Sequence, residues 1–170
     1  MKFNCFILIL LIFIASGWNV LYPQRLSENL KIMEPLVNKL WEGELKAPDG
    51  SASWKTTREF KVIWDGTVIK YTSSMPGRNS YAEGFFYWDR EEQKIGVFIV
   101  NSGGIYQKGI VTIENDLVTV TGRIYFPERN FEYRNTFEIK GNDNMIDRWY
   151  QNAFGSWREG HIITFQQEIE

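Results

Sequence analysis

From about residue 40 onward the chain runs in short segments of strand-forming residues, parted again and again by turn signals. Asp65-Gly66, Asp89 to Glu92, Ser102-Gly103-Gly104, Glu114-Asn115-Asp116, Pro127 to Asn130, Gly141 to Asn144 and Gly155-Ser156 interrupt it. Breaks roughly every 8–12 residues are the rhythm of an antiparallel sandwich or barrel. Connections this short join only neighbouring antiparallel strands, so order along the chain becomes order in space. Ten strands are expected, near 40–46, 53–64, 67–74, 80–88, 94–101, 105–114, 117–126, 130–140, 144–153 and 157–168.

A flat sheet of ten strands would leave two edges open to aggregation. Closure into an up-and-down barrel removes them, and ten strands enclose more space than the eight that side chains can fill. The fold class is therefore all-β, a single antiparallel up-and-down barrel of about ten strands with a short N-terminal helix. Two packed sheets with covered edges are the other option.

Three stretches divide the chain. Residues 1–17 have the layout of a secretory signal peptide: Lys2, an apolar run from Phe3 to Ala15, then small residues at Ala15-Ser16-Gly17. The apolar run is shorter than the ~20 residues of a spanning helix, so an uncleaved membrane anchor is the minor alternative. Residues 18–37 read as a tail and a short helix over 28–34, capped by Ser27 and stopped by Pro35. Residues 38–170 form the barrel domain.

The single cysteine, Cys5, lies within the leader. An exported chain without it has no disulfide and must be stabilised by its core. The expected location is periplasmic or extracellular. A formal net charge of −2 argues against nucleic acid and anionic membranes as partners. After cleavage no stable membrane insertion is expected. Aromatics make up 16% of the residues, with seven Trp, enough to line a core or a cavity.

Periodicity assigns faces. In 130–140, Phe131, Tyr133, Phe137 and Ile139 alternate with charged and polar residues; in 117–126, Val118, Val120, Ile124 and Phe126 share one face. Residues 94–101 are apolar on both faces, which calls for a cover from the N-terminal helix or from a partner subunit in a homodimer. On the last strand Trp157, Glu159, His161, Ile163 and Phe165 share a face that carries the large apolar groups, which turns His161 inward.

His161 is the only histidine. A neutral imidazole in an apolar pocket can ligate a haem iron, although a histidine hydrogen-bonded to a neighbour such as Tyr133 or Asn135 is the plainer reading. No companion ligands complete a zinc site. Glu83, on one face with Tyr81, Phe85 and Tyr87, is expected inside, as is Asn135. Asp147, with Trp149 and Gln151 on its face, could join Glu83 as an acid–base couple, but no spacing forces the carboxylates together. The stretch 73–80 reads as the longest connection and a candidate lid, with Arg78 at the mouth to meet a carboxylate.

The segment Leu40-Trp41-Glu42-Gly43, following a short helix, resembles the Gly-x-Trp-x-Gly first strand of lipocalin-like (calycin-type) barrels, with Lys39 in place of the first glycine. Ala82-Glu83-Gly84-Phe85-Phe86 resembles the Glu-x-Gly-aromatic strand of nitrobindin-like haem barrels. The resemblance implies ten strands and a proximal haem histidine on the last one, where His161-Ile162-Ile163-Thr164-Phe165 stands. Glu44 and Gln166-Gln167-Glu168 depart from that pattern. Gly155-Ser156-Trp157 is similar to a strand start in exported bacterial barrels without an assigned ligand.

The leading expectation is an exported protein that holds a small hydrophobic or amphipathic molecule inside the barrel, without a cofactor. Its candidate contacts are Trp41, Arg78, Glu83, Phe85, Tyr133, Asn135, Phe137, Trp149, Trp157, His161 and Phe165. Haem on His161 is the first alternative and a structural or interaction module the second. An enzyme ranks last, because nothing pairs a nucleophile with a base.

Overall fold

The computed structural model describes residues 25–115, 117–153 and 155–168. The leader at 1–17 lies outside the described residues. Ten antiparallel strands follow one another: β1 (Leu40–Lys46), β2 (Ser53–Ile63), β3 (Val68–Met75), β4 (Ser80–Asp89), β5 (Lys94–Asn101), β6 (Tyr106–Glu114), β7 (Leu117–Tyr125), β8 (Asn130–Lys140), β9 (Asn144–Ala153) and β10 (Ser156–Gln167). Each pairs with its neighbour in sequence, and β10 returns to β1, closing the barrel. The turn signals sit where left-handed backbone is needed: Asp65 and Gly66 have φ of 54° and 85°, and Gly141 has φ of 67°.

The barrel has two unlike ends. At the lower end, where β1 begins and β10 finishes, a 3-10 helix (Glu28–Met33) tucks underneath. The Ser27 side chain makes no cap hydrogen bond. Its backbone is held instead, with the Ser27 amide donating to the Gly66 carbonyl at 2.9 Å. Leu30, Met33 and Leu36 are fully buried, each contributing roughly 1.5–3 kcal/mol. That burial secures a helix too short to persist alone. The Trp41 indole N–H donates to the Leu36 carbonyl at 3.1 Å, tying this plug to β1. Above it, Phe60, Ile69, Phe86, Met145, Ile163 and Phe165 fill the barrel.

The helix therefore closes an end and does not cover β5. The outward face of β5 is dressed by the barrel's own side chains: the Tyr87 ring lies over Gly96, and Phe98 packs beside Tyr106 at 6.0 Å. The connection at 73–80 is also shorter than expected. Strands β3 and β4 pair as far as Met75 and Ser80, leaving only a 3-10 turn at Pro76–Arg78. The six residues 47–52 between β1 and β2 form a longer link.

The seam that closes the barrel is short. β1 pairs with β10 at only three positions, Trp41 to Gly43, whereas β1 pairs with β2 over its whole length. Beyond Gly43 the two strands part. A cleft of about 930 Å³ opens there, lined by Glu44 to Pro48, Trp54, Arg78, Glu159 to Ile162 and Thr164.

Candidate functional site

The upper half of the barrel is hollow. A cavity of about 280 Å³ is lined by Arg58 from β2, Tyr71 and Ser73 from β3, Ala82 and Phe86 from β4, Ile99 from β5 and Gln107 from β6. Val120, Tyr133, Asn135, Phe137, Trp149 and His161 complete it from β7 to β10. Asn135, Trp149 and His161 stand in one row across β8, β9 and β10. The Trp149 and His161 rings stack at 6.0 Å with 12° between their planes.

An ion pair lies at the centre. Arg58 bonds to Asp147, and both are buried, 7% and 0% exposed. Period-2 alternation puts Arg58 on the inner face of β2 with Thr56, Phe60 and Val62. Its guanidinium rests 5.0 Å from the Phe165 ring and 5.8 Å from the Phe137 ring. Asp147 accepts a further hydrogen bond from the Asn135 side-chain amide, which also donates to the Arg148 carbonyl at 3.2 Å. His161 Nε2 is 3.6 Å from Asp147 Oδ2. Isolated buried charges would be costly, so pairing is what lets both stay inside.

Burial sets the protonation states. Desolvation, helped by the Arg58 charge and opposed by Glu159, pushes the His161 imidazole down to about 3, leaving it neutral near pH 7. Desolvation also pulls the Arg58 guanidinium below the usual arginine range and pushes the Tyr133 phenol well above the usual tyrosine range. Among the described residues, Arg58 Nε, the Tyr133 hydroxyl and His161 Nε2 have no hydrogen-bond partner. Unpartnered buried polar groups are rare in folded proteins, and ordered water, an ion or a ligand is what ordinarily satisfies them.

The expected contacts divide. Tyr133, Asn135, Phe137, Trp149 and His161 do line one hollow. Trp41 and Phe165 are fully buried but belong to the packed lower half and do not line it. Arg78 lies over the Trp54 ring at 4.8 Å, on the cleft.

Three expected contacts sit on the outside. Glu83 and Phe85 are exposed on β4, because Ala82, Gly84 and Phe86 take the inner face. Both faces of β4 carry aromatics, so ring content could not choose between them; the charge on Glu83, paired with Lys70 across the strands at 3.2 Å, could. The couple of Glu83 with Asp147 is therefore excluded by the wall between them. Trp157 also faces out, 45% exposed, with the Arg134 guanidinium 5.1 Å from its ring. A register shift between Glu159 and His161 reverses the alternation at Gly160. A Cβ on Gly160 would run into the Trp149 ring, so glycine is required there.

Arg58 and Tyr71 are cavity residues that charge and periodicity could have revealed, since both share a face with Phe60-type core positions on their strands. Ser73 and Gln107 carried no such signal.

The class defined by this geometry is a small, closed, ten-strand antiparallel barrel, packed at one end and hollow at the other. No protein-family model matches the chain, and no curated protein matches it. Among solved structures it is similar to the crystal structure of Rv2717c from M. tuberculosis, with a TM-score of 0.58 and 14% identity. The likeness covers 85% of this chain and 99% of that one, and at that identity it shows the barrel fold alone.

Proposed function

We propose that the protein is a small-molecule binding barrel whose ligand occupies the upper hollow and reaches it through the cleft between β1 and β10. One observation carries this reading: Arg58, Tyr133 and His161, which carry buried polar atoms without hydrogen-bond partners among the described residues, all line the same half-open hollow. His161 touches both the cleft and the hollow, which supports the seam as the route in. The ligand is small, because 280 Å³ falls just under the ~300–1,000 Å³ of sites for drug-sized molecules. Export, resting on the leader at residues 1–17, belongs to the same proposal and is checked by N-terminal sequencing of the secreted or periplasmic protein.

Native mass spectrometry and solvent extraction of the purified protein test the reading. A retained small molecule, lost in Ala82→Phe (which fills the hollow), is the expected result. An empty wild type that gives no thermal shift with any compound of a fragment library would overturn it.

Haem on His161 is the second reading, favoured by the neutral imidazole with a free Nε2. Two features weigh against it. The hollow is smaller than the usual cofactor site, and His161 Nε2 is turned toward Asp147. Hemin titration is expected to give no Soret band that depends on His161; such a band, lost in His161→Ala, would put haem first.

A further inference from the structure

The charges inside the hollow balance one another, and that balance has consequences for what it can hold. Arg58 is paired with Asp147. The titratable groups lining or touching the cavity from the other strands are Tyr71, Tyr133 and His161, and the phenol of Tyr133 and the imidazole of His161 stay uncharged near pH 7. The remaining polar lining, Ser73, Gln107 and Asn135, is neutral.

We infer that this site selects an uncharged, flat, conjugated molecule carrying a carbonyl-type oxygen, and discriminates against carboxylates and ammonium ions of the same shape. This rests on the binding reading above and specifies its ligand. Arg58 Nε and the Tyr133 hydroxyl, both buried without partners among the described residues, are the donors the hollow offers to such an oxygen. The ring is recognised by the aromatic lining, Phe86, Phe137 and the stacked Trp149–His161 pair. A net charge brought in from water would lose its hydration and find no free counter-charge, since Arg58 and Asp147 already neutralise each other. A neutral amide or ketone instead fills donors that would otherwise stay unsatisfied.

The same balance predicts a switch. In Asp147→Asn the Arg58 charge loses its partner, and the hollow becomes a site for an anion. Shape is unchanged, so preference should invert without loss of the pocket.

Three probes of matched size test this by calorimetry on the full chain: benzamide, benzoate and benzylammonium. Wild type is expected to bind benzamide at least tenfold more tightly than either ion. In D147N benzoate should bind more tightly than benzamide, the reverse of the wild-type order. Benzoate or benzylammonium binding wild type as well as benzamide would overturn the charge selection while leaving the binding barrel intact. Failure of all three to bind would overturn the proposed ligand class, and if extraction also finds nothing, the binding reading falls with it. The wild-type comparison decides the matter even if D147N fails to fold.

Discussion

The two halves of the barrel are built from the same strands, yet one is solid and the other is not. Below, the inner positions of β1, β2, β3, β9 and β10 are Trp41, Phe60, Ile69, Met145 and Phe165, and the helix plug seals the end. Above, the inner positions a few residues along the same or adjoining strands are Arg58, Ser73, Asn135, Trp149 and His161. Strand number sets the diameter; side-chain choice decides whether that width is filled. The lesson is a division of labour, in which the lower half supplies stability and the upper half supplies a space lined with unspent hydrogen bonds.

Substitutions should separate the halves. The largest effect is expected from Trp41→Ala, which empties the lower core at a cost of about 3–5 kcal/mol, plus about 1 kcal/mol for its hydrogen bond to Leu36. Denaturant unfolding measures this. Probe affinity should survive in whatever fraction remains folded, and a selective loss of binding would break the division.

Asp147→Leu should come next. It strands the Arg58 charge in the interior, costing about 3–5 kcal/mol. The double variant Arg58→Met with Asp147→Leu should recover most of that stability and abolish the preference for carbonyl probes. A double variant as unstable as the single one would show that the pair is not the source of the loss.

Acid should act on the upper half through His161. Its folded pKa of about 3 lies below the ordinary value of 6.5, so between these values the unfolded chain binds the proton and the folded chain does not. Stability is fully present above about pH 6.5 and falls as the pH drops toward 3. From pH 6.5 to 5, where exposed carboxylates remain ionised, the loss is on the order of 2 kcal/mol. Unfolding midpoints for wild type and His161→Gln measure it; an equal slope in both would sink the assignment.

Glu83→Gln should do least. Its partner Lys70 is on the outer wall, and exposed pairs contribute about 0–1 kcal/mol. Unchanged probe affinity is expected, and a marked loss would return Glu83 to the interior.

Much of this architecture was legible in the residues. Turn chemistry at Asp65-Gly66, Gly141 and Gly155 marks the β2–β3, β8–β9 and β9–β10 boundaries, and the alternation in 117–126 and 130–140 places Val118, Tyr133 and Phe137 inside. What failed did so for identifiable reasons. On β4 both faces carry aromatic rings, so hydrophobicity had no preferred side. On β10 one bulge at Gly160 reverses the alternation, and a strict period of 2 carries Trp157 to the wrong face. The Arg58–Asp147 pair joins strands far apart in sequence, a contact no local pattern encodes.

Diffraction from crystals of the full barrel, with the interior electron density examined on both sides of the Phe165 and Phe137 rings, tests the division most directly. The expected map shows ordered water or a small molecule bridging Arg58 Nε, the Tyr133 hydroxyl and His161 Nε2, and no density other than side chains below. Side chains packed solidly around the Arg58–Asp147 pair, with the imidazole turned outward, would contradict it.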